Sequence, residues 1–246
     1  MQLTNAQRKA FASLSTAKGR RQTGLFMAQG EKCVRDTIDH FELVALVCEQ
    51  DEAVRWADMP QLVTAKREDM LKISTLTTPP GVVAVYRIPE PQAKTPDQTA
   101  LSLALDCVQD PGNLGTIMRV ADWMGVRDIF ASEDTADVWN PKVVQATMGA
   151  ISRVKVHYCD LPSVLGQCGL PVYGTFLDGE NIYKSALSAH GVIVMGNEGR
   201  GISPEVSACV THRLLIPSYP PGEPTSESLN VAVATAITLS EFRRNG

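Results

Sequence analysis

The sequence predicts a two-domain α/β protein, and three features of its 246 residues support that fold class. Short apolar segments alternate with segments of helical periodicity along the chain. After residue 100 the apolar segments do not alternate between apolar and polar residues. This is typical of strands in a parallel sheet that is covered on both sides. Residues 89–99 (PEPQAKTPDQT) hold three prolines and no apolar periodicity, which is typical of a linker. We therefore expect domains at residues 1–90 and 100–246, joined by a linker at residues 91–99.

The front domain is predicted to begin with one helix over residues 4–17, capped by Thr4 or Asn5. Alternating strands and helices should follow. The strands are LFMAQ, LVALVC, QLVTA and VVAVYRI, and the helices are EKCVRDTIDHF, a segment near residues 52–59, and REDMLKIS.

The second domain should contain six strands, which are LSLALDCV, DIFAS, VKVHY, PVYGTF, VIVM and RLLIP. Helices are expected at about residues 114–124 and 141–151, with shorter helices between the later strands and a long one at the end. This alternation is what a parallel sheet covered by helices needs.

Composition limits the class of protein. The hydrophobic fraction of 44% can supply a core, and no window has the roughly 18 apolar residues of a membrane span. The six cysteines form no CxxC pair, and several lie in apolar runs, which indicates buried thiols in a reducing cytosol. The four histidines are scattered, so we expect no metal site. We expect a cytoplasmic protein without a membrane anchor.

The charge distribution is uneven. The net charge is −4, which argues against a purely electrostatic grip on nucleic acid. The first 30 residues, however, carry only basic charges, and acidic residues outnumber basic ones after residue 96. A basic arm on an acidic body suits a bound polyanion, whereas the alternative is a solvated helix face and a loop. The candidate contacts are Arg8, Lys9, Lys18, Arg20 and Arg21.

Ligands of open parallel sheets bind at the loops that follow the strands, and three such loops stand out here. The first, QDPGNLGTIMRVADWMGV, holds Asn113 in a Pro/Gly turn, with Arg119 in the following helix. The second is GNEGRG, residues 196–201, with three glycines. The third, SYPPGEPTSESLN, places Ser228 and Asn230 at the start of the last helix.

Each loop also has a purely structural interpretation. Glycine often only ends a strand, Arg119 fits the surface of an amphipathic helix, and Ser228 fits a helix N-cap. Asn230 is harder to explain in this way, because an amide beside apolar residues needs a hydrogen-bond partner.

Several other chemistries are disfavoured. The GNEGRG glycines fall at relative positions 1, 4 and 6, whereas the dinucleotide fingerprint has them at about 1, 3 and 6. A nicotinamide enzyme would also need its glycine loop after the first strand. The chain has no GK[ST] of a Walker phosphate loop and no serine in a nucleophile elbow.

Together, DPGNLGTIMRVADWMGV, IVMGNEGRGIS and IP…SESLNVAVATAI resemble the three motifs of the SpoU (TrmH-like) branch of the SPOUT methyltransferases. Members of this family methylate ribose 2′-hydroxyls of RNA with S-adenosylmethionine. RRQTGLFMAQGEKCVRDTI and LKISTLTTPPGVVAVY look like the L30e-like substrate-binding domain that many members carry, with Gln29 where an acid is usual. The resemblance implies a parallel-sheet SPOUT domain with a deep trefoil knot in the last third of the chain.

The resemblance also implies residue roles. Asn113 and Arg119 would face the target ribose, with Arg119 orienting the 2′-hydroxyl and stabilising developing negative charge. Glu198 would orient Arg119 or nearby loop amides. Ser228 and Asn230 would fix the loop and the methionine end of the cofactor, and side chains at the loop glycines would displace the adenosine. The implied cofactor contacts are Thr175, Gly196, Asn197, Glu198, Gly199, Gly201, Ile216, Pro217, Ser228, Leu229 and Asn230.

Some points stay open in the sequence. Residues 217–227 form a longer segment than the family usually has, which leaves the cofactor contacts before Ser228 undecided. The family dimerises through helices of the catalytic domain, and VAVATAITL is apolar on nearly every face, as a helix between a sheet and a partner would be.

The substrate is expected to be RNA, with rRNA favoured over tRNA by the front domain. The final proton acceptor is undetermined. The alternative function is an RNA-binding protein that keeps the fold without catalysis, although Asn113, Arg119 and Asn230 are all present.

Overall fold

The computed structural model describes residues 1–221 and 223–244. The chain divides into two compact units. Unit 1 contains Met1–Glu90 and Asp137–Ser152, and unit 2 contains Pro91–Ala136 and the chain from Arg153 onward. Residues 137–152 were expected in the second domain, and here the structure differs from that expectation.

Unit 1 is built on a four-stranded sheet. Its strands are β1 (Leu25–Gln29), β2 (Leu43–Glu49), β3 (Leu62–Ala65) and β4 (Val82–Arg87), in the order β1-β4-β2-β3. β4 is antiparallel to β1 and β2, and β3 is parallel to β2. Its core packs one face of this sheet against helices α1 (Asn5–Ser13) and α4 (Arg67–Ile73), with Phe11, Leu14 and Met70 among the buried side chains.

The helices of unit 1 differ from the prediction at three places. The single helix expected over residues 4–17 is two helices, α1 and α2 (Ala17–Thr23). Thr4 caps α1 in a capping box with Gln7, and Thr16 caps α2 by accepting from the backbone N–H of Gly19 at 3.1 Å. The segment expected as a helix near residues 52–59 is a 3₁₀ helix, Gln50–Trp56. Helix α3 (Glu31–Thr37) begins as expected but ends four residues before the predicted segment EKCVRDTIDHF does.

Gln29, at the end of β1, is buried, and both polar atoms of its side chain are hydrogen-bonded. Its Oε1 accepts from the hydroxyl of Ser74 at 2.8 Å and from the backbone N–H of Thr75 at 3.0 Å. Its Nε2 donates to the hydroxyl of Thr75 at 2.7 Å. A neutral amide at this position therefore joins β1 to the segment after α4 without burying a charge.

Residues 137–152 belong to unit 1 because two side chains anchor them there. Asp137 accepts from Nε of Arg20 at 3.0 Å, and Trp139 packs on Phe26 with ring centroids 4.5 Å apart. Helix α6 (Pro141–Thr147) is shorter than predicted, because Met148 and Gly149 adopt positive φ angles of 49° and 90°.

Unit 2 is a six-stranded parallel sheet in the order β10-β8-β9-β5-β6-β7. The six predicted strands are all present. They are β5 (Leu101–Leu105), β6 (Asp128–Ala131), β7 (Lys155–Tyr158), β8 (Val172–Asn181), β9 (Gly191–Met195) and β10 (His212–Leu215). Helices α5 (Pro111–Trp123), α7 (Leu161–Gln167), α8 (Pro204–Ser207) and α9 (Val231–Arg243) complete the unit.

The central strands of unit 2 are buried on both faces. Every residue of β5, β6 and β9 is buried, which explains their largely apolar sequence. Among the described residues, no helix has the length and apolar character needed to cross a membrane.

Candidate active site

The carboxyl ends of β5 and β9 lie side by side and bring the first two motif loops together. The two strands pair in parallel along their length, from Leu101 opposite Gly191 to Leu105 opposite Met195. Beyond them, α5 packs against α9. The start of the third motif therefore lies close to the first.

Three polar side chains, one from each motif, form a continuous hydrogen-bonded chain. Nδ2 of Asn230 donates to Oδ1 of Asn113 at 2.9 Å. Nδ2 of Asn113 donates in turn to Oε1 of Glu198 at 2.8 Å. The chain runs in one direction and ends on an acceptor-only carboxylate, so both amide orientations are fixed by their partners. The structure thus brings Asn113, Glu198 and Asn230 together.

Asn230 also caps the last helix. Its Oδ1 accepts from the backbone N–H groups of Ala232 and Val233 at 3.0 and 3.3 Å. The structural interpretation of Ser228 as the N-cap is therefore wrong, because Asn230 takes that position. Ser228 is exposed and has no hydrogen-bond partner among residues 1–221 and 223–244.

Asn113 lies in the first turn of α5 and not in a loop. The sequence suggested a Pro/Gly turn, but Pro111 occupies the first helical position, where a missing N–H has no cost. Asp110 is the N-cap, and its Oδ1 accepts from the backbone N–H of Asn113 at 2.8 Å. The side chain of Asn113 is thereby held on a rigid helix end.

Arg119 is separated from this chain. It is exposed on α5, and within the described part of the protein it has no hydrogen-bond or ion-pair partner. The expectation that Glu198 orients Arg119 is wrong for this structure, because Glu198 accepts from Asn113 instead. Six residues separate Asn113 and Arg119, which at about 100° per residue places them on different faces of α5. Arg119 is thus an exposed cation on the same helix as Asn113.

The GNEGRG loop is closed by its own backbone and by Asn197. The N–H and C=O groups of Asn197 and Gly201 exchange two hydrogen bonds of 2.9 Å. Oδ1 of Asn197 accepts from the backbone N–H groups of Gly199 and Arg200, both at 3.0 Å. Its Nδ2 donates to the carbonyl of Cys107 at 2.8 Å, which fixes the loop to the end of β5.

The described chain requires glycine at two of the three glycine positions of this loop. A Cβ at Gly196 would lie 2.3 Å from the carbonyl carbon of Gly201, so the loop could not close. Gly201 has a φ of +72°, which strains any residue with a side chain. A Cβ at Gly199 would meet only Oδ1 of Asn197, at 3.7 Å, and would otherwise project into open space. Only Gly199 is left without a reason within the described chain.

The remaining expected cofactor contacts lie in β8, just after its neighbour β10, or just before α9. Thr175 is half-buried in β8, and its hydroxyl donates to the sulfur of Met195 at 3.9 Å. Ile216 and Pro217 are half-buried just beyond β10. Leu229 is 46% exposed next to Asn230. The described residues between Ser218 and Leu229 are all exposed.

The basic arm divides into paired and unpaired cations. Arg20 is buried, and its guanidinium donates to the carbonyl of Leu14 at 2.8 Å and to Asp137. Arg8 is ion-paired with Asp69 at 2.8 Å. Lys9, Lys18 and Arg21 are exposed, and no partner for them lies in the described residues. The prediction that Arg20 contacts RNA is therefore replaced by a structural role.

Within residues 1–221 and 223–244, no three His, Cys, Asp or Glu side chains are grouped so that they could hold a metal ion. His157 is bound instead to Asp128, with 2.8 Å between Nε2 and Oδ1. The six cysteines are unpaired thiols.

Comparison with known proteins identifies the family. The profile of the SpoU rRNA Methylase family matches residues 100–240, and the MRM3-like substrate binding domain profile matches residues 5–84. The 23S rRNA (guanosine(2553)-2′-O)-methyltransferase RlmP of Bacillus subtilis is 30% identical, over 97% of this chain and 96% of that protein.

Solved structures agree with this assignment. A TrmH-family protein from Porphyromonas gingivalis is 40% identical and has a TM-score of 0.90 over 100% of both chains. An AdoMet-bound rRNA methyltransferase from Sinorhizobium meliloti is 30% identical, with a TM-score of 0.85 over 99% of this chain and 96% of that one. The expected family and the front substrate-binding domain are confirmed, and the chain belongs to the SpoU rRNA methylase family.

Proposed function

We propose that this protein transfers a methyl group from S-adenosylmethionine to a ribose 2′-hydroxyl of RNA, with rRNA as the favoured substrate. The observation that supports this most strongly is the chain Asn230–Asn113–Glu198, which joins all three family motifs within hydrogen-bonding distance. A relative from B. subtilis is an rRNA 2′-O-methyltransferase, and a structural neighbour from S. meliloti binds AdoMet.

The loop fits an adenosine-bearing cofactor at one identifiable position. The backbone of the protein explains why residues 196 and 201 are glycine. At Gly199 a Cβ would meet only Oδ1 of Asn197, so the missing side chain leaves space there. We infer that this space, with the half-buried Ile216 and Pro217, Thr175 and the exposed Leu229, holds the cofactor. The bound cofactor supplies an electrophilic methyl group on a sulfonium, a chemistry that needs no metal and depends on positioning.

In this proposal Arg119 acts on the RNA. A guanidinium stays protonated at neutral pH and has only donors, so it orients the attacking hydroxyl and stabilises the charge that develops on its oxygen. Its exposure and its lack of a partner in the described chain leave its donors available. Glu198 and Asn113 fix the second motif loop against α5.

RNA capture is assigned to unit 1. Lys9, Lys18 and Arg21 are exposed cations, and they suit the phosphate backbone, which dominates sequence-independent affinity. Residues 5–84 match the MRM3-like substrate binding domain, which supports this assignment. We place the protein in the cytoplasm.

We also propose a homodimer through the second domain. Val233 on α9 is 49% exposed and Trp123 on α5 is 87% exposed, although both lie on helices otherwise packed into unit 2. Large exposed apolar side chains of this kind suit an isologous interface between two copies.

The test incubates the purified protein with radiolabelled S-adenosylmethionine and total RNA that lacks the modification. The labelled RNA is then digested and the nucleosides are identified by mass spectrometry. The proposal predicts label in a 2′-O-methylated nucleoside, from rRNA more than from tRNA, and none with Arg119→Ala. Label on a base would refute the 2′-hydroxyl as acceptor. RNA binding without any transfer would favour the alternative, a non-catalytic RNA-binding protein.

A further inference from the structure

Asp106 is a buried carboxylate to which the proposed reaction gives no role. It is the first residue after β5 and is 6% exposed. Its Oδ2 accepts from the backbone N–H of Ser203 at 2.6 Å, two residues beyond the GNEGRG segment. A buried charge is costly unless it is well hydrogen-bonded, so its presence beside this loop needs an explanation.

The residue after Asp106 holds the near end of the same loop. The carbonyl of Cys107 accepts from Nδ2 of Asn197 at 2.8 Å. Cys107 has a φ of 59°, which is uncommon for a residue other than glycine. Its backbone N–H donates to the hydroxyl of Ser132 at 2.8 Å. Two consecutive residues at the end of β5 thus bind both ends of the segment 197–203.

Between these two anchors Glu198 accepts from Asn113, and the guanidinium of Arg200 donates to the sulfur of Cys107 at 3.5 Å, but neither contact holds residues 201–203. Gly199, Arg200 and Gly201 are exposed. The loop closes on itself through Asn197 and Gly201, but that closure alone does not fix its position on the sheet. The hydrogen bond from Ser203 to the carboxylate of Asp106 is charge-assisted, and such bonds are short and strong.

We propose that Asp106 is a positioning residue that holds the cofactor loop in its binding-competent place through the N–H of Ser203. This inference rests on the proposed function, in which that loop binds S-adenosylmethionine. Without Asp106 the loop must be ordered at the moment of binding, and that ordering lowers affinity. In the proposed function Arg119 acts on the RNA hydroxyl, and within the described residues Asp106 makes no hydrogen bond to Arg119.

The experiment measures S-adenosylmethionine affinity by calorimetry and turnover at saturating cofactor for Asp106→Ala and Asp106→Asn. Asp106→Ala should weaken affinity by about 10- to 100-fold, the effect of losing one hydrogen bond to a charged group, and should change kcat less than about 3-fold. Asp106→Asn keeps an oxygen acceptor and should restore affinity to within about 3-fold of the wild type.

Asp128 offers a matched control. It is also a buried aspartate of the unit 2 sheet, 9% exposed, but it lies at the start of β6 and binds Lys94 and His157. Asp128→Ala should lower Tm while leaving cofactor affinity unchanged. If Asp106→Ala lowers Tm in the same way and its affinity stays within about 3-fold of the wild type, the positioning role is refuted.

Ser203→Pro tests the same bond from the donor side if Asp106→Ala does not fold. Ser203 has a φ of −63°, a value that proline adopts, and the substitution removes the N–H together with a hydroxyl that makes no capping hydrogen bond to α8. It should weaken affinity as much as Asp106→Ala, and unchanged affinity would overturn the inference.

Gly199→Val separates the two proposals. If Gly199→Val binds the cofactor normally, the proposed cofactor site is refuted. If Gly199→Val binds the cofactor weakly and Asp106→Ala binds it normally, only the proposed role of Asp106 is refuted.

Discussion

Nδ2 of Asn230 donates to Oδ1 of Asn113 at 2.9 Å, while the Oδ1 of Asn230 caps the helix that carries it. One side chain therefore serves both the stability of α9 and the junction between the first and third motifs. These two tasks use different atoms of the same amide and can be separated by substitution.

Asn230→Asp should separate them. Aspartate keeps the oxygen that caps α9 and places a negative charge at a helix N-terminus, so Tm should fall by no more than a few degrees. The substituted side chain has no N–H to donate to Asn113. If the amide of Asn113 turned its Nδ2 toward the new carboxylate, its Oδ1 would face the carboxylate of Glu198, where two acceptors would meet. Turnover should fall by about 10-fold, the cost of one lost hydrogen bond between a half-buried and an exposed side chain. Thermal unfolding and kcat measure the two effects, and full turnover in a folded Asn230→Asp would contradict the role of the chain.

The loop glycines should respond unequally to substitution. Gly196→Ala places a Cβ against backbone at 2.3 Å and should prevent a stable fold of unit 2, whereas Gly201→Ala should cost about 1 kcal/mol because of its positive φ. Gly199→Val should leave Tm nearly unchanged and weaken cofactor binding, since its Cβ meets no backbone. Melting curves and calorimetric titration of the three variants check this order. Equal loss of stability at Gly199 and Gly196 would show that the chain, and not a ligand, requires glycine at 199.

Arg20 and Arg21 are adjacent and should behave oppositely. Arg20→Met removes the partner of Asp137 from a buried position and should cost about 2–3 kcal/mol, a value reduced for the partial exposure of Asp137. Arg21→Met, at an exposed site, should change stability by less than about 0.5 kcal/mol and should weaken RNA binding with a smaller salt slope. Urea unfolding and binding titrations at several salt concentrations distinguish the two. Loss of RNA affinity only in Arg20→Met would reverse this assignment.

Asp122 should make stability depend on pH. Its hydrogen bonds from Arg153, at 2.8 Å, and then from Arg127 hold the pKa of its carboxyl below the ordinary value. A lowered folded-state pKa gives stability that is present above the unfolded-state pKa of about 3.9 and is lost as the pH falls through the folded-state pKa. Asp122→Asn should therefore destabilise the protein at pH 7, and the difference from wild type should shrink below about pH 4. A difference that does not change between pH 7 and pH 3 would contradict it.

The strands were predictable from the sequence because each is an apolar run bounded by turn residues. All six strands of unit 2 were located, and with them the loops that carry the three motifs. The pairing of the motifs was also expected, since the carboxyl ends of parallel strands share one edge of a sheet. The trefoil knot that the resemblance implies stays a prediction.

Contacts between distant side chains were not predictable. Nothing local indicates that Asp137 returns to unit 1 to bind Arg20, since the two residues are 117 apart in the chain. The sequence predicts a turn at Pro111, whereas Pro111 is the first residue of α5. Proline is common both in turns and at the first position of a helix, so the sequence does not distinguish the two. Asp106 gave no signal at all, because a single carboxylate after a strand acquires meaning only when Ser203 is seen beside it.

Arg119 carries the central claim, that an exposed guanidinium on the helix that also holds Asn113 acts on the RNA hydroxyl and not on the cofactor. The direct measurement compares Arg119→Ala with wild type in single-turnover methyl transfer and in calorimetric binding of S-adenosylmethionine. The account predicts a loss of transfer of about 100- to 1,000-fold, as for removal of one donor to a developing oxyanion, with cofactor affinity within about 3-fold. Transfer at the wild-type rate, or a loss explained fully by weaker cofactor binding, would contradict it.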